Sequence, residues 1–108
     1  MTNDRALGML SICRKAGKLI FGFDAVKEAV AAGEARLILY AADLSEKTRA
    51  SMDRVAARVE PAPPCVRTEL TMYDFSLFCP KPAGVLAVTD EGLAKAVLKR
   101  ITAEHEEE

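Results

Sequence analysis

Residues 13–48 read CRKAGKLIFGFDAVKEAVAAGEARLILYAADLSEKT, and this stretch decides the fold. Its apolar run Leu37-Ile38-Leu39-Tyr40 is too short for a helix and has turn signals on both sides, Gly33-Glu34 before it and Asp43 after it, so it reads as a central strand. Ahead of it Phe23, Val26, Ala29 and Val30 recur at three- and four-residue spacing and stop at Gly33, the pattern of a helix closed by a left-handed glycine. That helix is expected to lie on the sheet. Its first turn, Gly22-Phe23-Asp24, follows a basic segment holding Arg14, Lys15 and Lys18. A helix N-terminus presents unpaired N–H groups and attracts anions, so the reading places helix start and cationic loop together as the candidate functional site.

Working outward, Asn3 is positioned to cap a first helix whose apolar face uses Leu7, Leu10 and Cys13 and which Gly17 ends after Arg14 and Lys15. Lys18 to Phe21 then reads as a short strand. After the central strand, Asp43 and Ser45 both offer N-caps to a helix with the stripe Met52, Val55, Ala56 and Val59. Pro61, Pro63 and Pro64 stop that helix and feed Cys65-Val66-Arg67 in extended form. Thr71 as N-cap places Asp74 at the third helical position and lets Leu70 staple onto Phe75, which predicts a short helix to about Leu77. Ala83 to Val88 is a second buried strand, and a last helix capped by Thr89 or Asp90 carries Leu93, Val97 and Ile101. Strands alternate with helices throughout, which predicts a sheet of about four strands with helices on both faces.

The composition narrows the class. A chain of 108 residues fits one domain, expected over residues 1–103, with residues 104–108 as an acidic disordered tail. No apolar run approaches the ~20 residues of a membrane span and no signal peptide follows Met1, so a cytoplasmic protein with no membrane partner is expected. Cys13, Cys65 and Cys79 are odd in number and widely spaced, which argues for three reduced thiols and against a zinc site. The formal charge is −1, but four of the acids, Glu104, Glu106, Glu107 and Glu108, lie in the tail, so the remainder carries +3. A mildly basic body is compatible with a nucleic-acid partner.

The pattern resembles a known family. AGKL at Ala16 to Leu19, the turn at Gly22, G-x-A-R-L-I-L from Gly33, A-x-D-x-S from Ala41 and AVTDEGLAKAV from Ala87 are together similar to the RNA-binding ribosomal-protein superfamily known as L-seven-Ae and L-thirty-e, closest to its bacterial YlxQ-like branch. The resemblance implies a three-layer α/β/α sandwich with a mixed sheet. It also implies a non-catalytic, ribosome-associated protein that recognises kink-turn or similar structured RNA by the loop before helix two. Together, the cations beside the helix start and the turn that the likeness points to give an RNA-binding set of Arg14, Lys15, Lys18, Gly22, Phe23, Asp24, Lys27 and Glu28. Kink-turn binders of the family carry G-x-N-E-x-x-K at this turn; with the glycine on Gly22, Asp24 stands at the Asn position, Ala25 at the Glu and Glu28 at the Lys. Two acceptors thus face a polyanion where the pattern has a base-reading amide and a phosphate-neutralising ammonium.

Each candidate has a plainer role. Arg14, Lys15 and Lys18 are also ordinary helix-end charges, and Asp24 is also a first-turn acid. Asp43, Asp74, Asp90 and Glu91 sit at predicted helix starts, where capping accounts for them without a metal. Tyr40, Tyr73, Phe75 and Phe78 read as core aromatics. The single histidine, His105, lies in the tail and offers no base to a cysteine, so neither an enzyme nor a cofactor is expected. The acids at Asp24 and Glu28 leave open a protein-interaction module on the same fold, with a protein partner in place of RNA.

Overall fold

The computed structural model describes residues 2–77, 79 and 83–106, with side chains from residue 6 to residue 101 of these. Elements are numbered in chain order. The run Leu37–Tyr40 forms β2, buried at every position, as an unbroken apolar strand covered on both faces must be. It pairs in parallel with β3 (Cys65–Arg67) and antiparallel with β4 (Val85–Val88), and β4 in turn pairs antiparallel with β1 (Leu19–Phe21), giving the order β1-β4-β2-β3.

Side chains alternate across this mixed sheet and divide the core in two. Leu37, Leu39, Leu86 and Val88 face α1 (Thr2–Lys15), α4 (Met72–Ser76) and α5 (Glu91–Glu106), which contribute Ala6, Leu10, Cys13, Phe75, Val97 and Ile101. Ile38, Tyr40, Val85 and Ala87 face α2 (Phe23–Ala31) and α3 (Glu46–Ala57), which contribute Val26, Ala29, Val30, Met52 and Ala56. The expected three-layer α/β/α arrangement is therefore present. Burying Val26 or Leu39 completely stabilises the fold by about 1.5–3 kcal/mol each relative to exposure.

The ends of the elements follow local chemistry. At Gly33, φ is 74°, and the Gly33 and Glu34 N–H groups donate to the Val30 and Ala29 carbonyls at 3.0 and 2.9 Å, closing α2 with the paired bonds of a left-handed cap. Thr71 and Asp74 form the reciprocal capping box expected of α4. Asp90 accepts from the Leu93 N–H at 2.9 Å and caps α5. Ser45 caps α3 through the Thr48 N–H.

Several expectations are corrected. Asn3 lies inside α1, which already begins at Thr2. Asp43 does not cap α3; its Oδ1 accepts from the Met72 N–H at 2.9 Å and so serves α4, 29 residues away in sequence. Lys18 precedes β1 and Ala83 precedes β4, since the pairing begins at Leu19 and Val85. Tyr73 is not a core aromatic: it is 73% exposed, while Tyr40 and Phe75 are buried. Phe78 lies outside the described residues, as do residues 107 and 108; the helical backbone of α5 continues to Glu106.

Candidate nucleic-acid interface

The site is built on Gly22, where a strand becomes a helix within one residue. Its φ of 101° and ψ of 148° belong to a region that side chains penalise by about 1–3 kcal/mol. The Gly22 N–H donates to the Val85 carbonyl at 2.9 Å and its carbonyl accepts from the Val26 N–H at 3.0 Å, so the turn is pinned to β4 on one side and to α2 on the other. Glycine brings no side-chain acceptor, and no side chain caps α2. The helix therefore starts with first-turn N–H groups directed outward, next to the exposed Asp24, Ala25, Lys27 and Glu28. Asp24 lies at the second helical position, where the helix dipole favours a carboxylate by about 0.3–1 kcal/mol. Phe23 is half-buried and packs into the α2 and α3 layer.

The predicted site residues do not all meet. The Thr89 N–H, at the end of β4, donates to the Lys18 carbonyl at 2.9 Å, whereas Gly22 bonds to Val85 at the start of β4. The three residues of β1 thus separate Lys18 from Gly22 by roughly 13 Å along an extended chain. Arg14 and Lys15 end α1 on the Lys18 side. The turn Gly22, Phe23, Asp24, with Lys27 and Glu28 one helical turn on, forms one group, and Arg14, Lys15 and Lys18 form another at the opposite end of the sheet. Sequence proximity suggested that helix start and cations fall together; the intervening strand parts them.

What shares the end with Gly22 comes from elsewhere in the chain. The Ala41 N–H donates to the Gly84 carbonyl at 2.9 Å, and a Cβ on Gly84 would stand 2.6 Å from Leu44 Cδ1 and 3.5 Å from Met72 Cγ, so the segment after β2 and the start of α4 close around the start of β4. Beside them stand the exposed Tyr73 and, four residues on at the C-cap of α4, Leu77 at 61% exposure. The signal for Tyr73 was in the sequence: once Phe75 is the buried fourth residue of the helix, a residue two places earlier is about 200° round the axis and faces outward.

Charges at this end are mostly committed to one another. The Tyr40 hydroxyl donates to Asp53 Oδ1 at 2.5 Å, Arg49 pairs with both Asp53 and Glu46, and Arg67 reaches Glu46 at 2.8 Å. Hydrogen bonds from Arg49 and Arg67 hold the Glu46 carboxyl below its usual range, and burial, aided by Asp53, pushes the Tyr40 hydroxyl far above its own. Lys27 and Lys47 are exposed and have no ion-pair partner among the described residues. Lys47, in the first turn of α3, was missed because nothing local marks it; only the sheet brings the α3 start to this end.

Cys13 and Cys79 are buried, Cys65 is half-buried and all three are free thiols. Burial pushes each of them up, Cys79 to about 11, which leaves little thiolate at neutral pH. Among the described residues no three His, Cys, Asp or Glu side chains gather as a metal site, and no helix is long and apolar enough to cross a membrane.

No protein-family model and no curated protein matches the chain. Solved structures share its fold. A protein of unknown function from Bacillus halodurans C superposes with a TM-score of 0.79 at 18% identity, over 91% of this chain and 97% of that one. The Giardia lamblia 15.5kD RNA binding protein superposes with a TM-score of 0.71 at 14% identity, over 95% of this chain and 89% of that one. At these identities the likeness is one of fold, and one of the proteins that share the fold is an RNA binder.

Proposed function

We propose that the protein is a non-catalytic, cytoplasmic RNA-binding protein of the L-seven-Ae and L-thirty-e type, in its YlxQ-like branch, that associates with the ribosome and recognises structured, kink-turn-like RNA. The observation that carries this reading is the uncapped N-terminal turn of α2, pinned by Gly22 and facing solvent, on a fold shared with an RNA-binding protein. In it, first-turn N–H groups meet a phosphate, Lys27 and Lys47 neutralise the flanking backbone, and the exposed ring of Tyr73 offers a stacking face to an unpaired base. Arg14, Lys15 and Lys18 lie too far round the molecule to touch the same phosphates and contact RNA only if it extends past the β1 edge.

The test is a titration of labelled kink-turn duplex and of a kinkless duplex at several salt concentrations. Preference for the kinked RNA, weakening steeply with salt and reduced several-fold by Lys27→Glu, is the expected result. Binding that ignores both salt and the kink would refute it. A second reading, a protein-interaction module, is favoured by the exposed acids Asp24 and Glu28 on the same helix. It predicts no measurable RNA affinity and an interface that persists at high salt.

A further inference from the structure

At the end of the sheet away from Gly22, a cavity of about 370 Å³ opens between α5 and the proline segment 61–64. Its floor is Leu37, the first residue of β2, which is 1% exposed. One wall is the helical stripe Glu91, Ala94, Lys95 and Leu98, spaced i, i+3, i+4 and i+7 so that all four face the gap. The other is Pro61 and Pro64, which have no N–H to donate. The gap has a structural origin. Helix α4 has five residues, about 7.5 Å of helix, and lies beyond the far ends of β2 and β3, where the Ala42 N–H donates to the Leu70 carbonyl. No third helix reaches over the start of β2 on this face among the described residues.

The rim is cationic on balance. The Arg36 guanidinium makes one hydrogen bond, to the Gly33 carbonyl at 3.1 Å, and has no carboxylate partner among the described residues. Lys95 meets Glu91 at 3.5 Å in an exposed pair that holds it weakly. An apolar slot of this size, with an available guanidinium at its mouth, suits a ligand that joins an apolar group to a carboxylate.

We infer that this cavity is a docking site for an acidic peptide of a protein partner, in which an apolar side chain rests on Leu37, Ala94 and Leu98 and a neighbouring carboxylate pairs with Arg36. A nucleic acid fits less well, because the lining is mostly apolar and Arg36 and Lys95 alone do not make the row of cations that a phosphate backbone needs. The site is independent of the RNA reading: it uses none of the residues at the Gly22 turn and lies at the other end of the strands. A protein carrying both joins RNA at one end of the sheet to a protein at the other.

The experiment is an amide NMR titration of the full ¹⁵N-labelled chain with the probe acetyl-Glu-Phe-Asp-amide, beside acetyl-Lys-Phe-Lys-amide and acetyl-Glu-Ser-Asp-amide. The expected result is saturable shifts at Leu37, Ala94, Lys95 and Leu98, with the basic and the serine peptides each at least tenfold weaker. Arg36→Glu and Lys95→Glu, both at exposed positions, should weaken the acidic peptide about tenfold, while Lys27→Glu leaves it unchanged. Shifts scattered elsewhere, equal binding of the basic peptide, or the same amides moving when a kink-turn duplex is added in place of peptide would overturn the assignment.

Discussion

Replacing Asp24→Asn, Ala25→Glu and Glu28→Lys together asks whether the Gly22 turn reads RNA as proposed, by completing there the G-x-N-E-x-x-K pattern. The folding cost should be small. Asp24→Asn gives up a favourable charge at the α2 N-terminus, about 0.5 kcal/mol, while Glu28→Lys removes an acid from near the C-terminal turn and supplies a cation there, a gain of similar size. All three side chains are exposed, so packing is untouched. The net midpoint stability should change by less than about 1 kcal/mol. The binding effect should be larger. A base-edge contact is worth roughly 1–3 kcal/mol, and the triple change offers two contact groups where two anions stood, so a gain of about 3 kcal/mol, or roughly 100-fold, is expected for a kink-turn duplex. The new ammonium should also steepen the salt dependence by about one phosphate contact. Fluorescence anisotropy of both proteins at fixed salt, with a kinkless duplex as control, reads these quantities. Kink-specific binding by the unmodified chain is itself expected, weaker than the triple variant's and carried by the α2 N-terminal turn, Lys27, Lys47 and Tyr73. No gain in the triple variant would refute the idea that RNA meets these three positions.

The same geometry sets four further outcomes. Gly22→Ala meets no atom within 4 Å of the new Cβ, so its cost is backbone strain alone: a loss of about 1–3 kcal/mol in urea unfolding is expected, and a loss below about 0.5 would mean that the turn relaxes freely. Asp53→Ala takes from the buried Tyr40 hydroxyl the carboxylate it donates to, leaving it the weaker partner Cys65, and should cost about 1–3 kcal/mol, more than Tyr40→Phe, which leaves Asp53 with Arg49 and solvent; the reverse order would show that the Cys65 sulfur satisfies the hydroxyl. Alkylation of the native protein near pH 8 should be slow at Cys13 and Cys79 and reach three labels once unfolded without reductant. Because burial raises the Cys79 thiol from 9.0 to about 11, its contribution to stability is complete below about pH 9 and is lost as pH climbs to 11, so a midpoint that rises over that window would contradict the burial.

Short-range chemistry made most of the secondary structure legible. The Thr71 and Asp74 box and the closure at Gly33 each depend on residues within about four or five places and stand where the sequence put them, while the structure chose Ser45 over Asp43 and Asp90 over Thr89 as caps. The apolar run Leu37 to Tyr40 announced a strand buried on both faces, because no other arrangement hides four consecutive apolar side chains in so short an element. Of the candidate site, the sequence located the Gly22 turn and the exposed acids of α2. It did not locate the neighbours. Strand order depends on backbone pairing between distant segments, and the insertion of β4 between β1 and β2 both pins Gly22 to Val85 and carries Lys18 to the other end beside Thr89. The same pairing turns Asp43 toward α4, Tyr40 toward Asp53 and Tyr73 to the rim, and leaves the slot over Leu37 between α5 and the proline segment. A residue's own element is set by its near neighbours in the chain; what it touches is set by which strands pair, and that depends on contacts tens of residues apart.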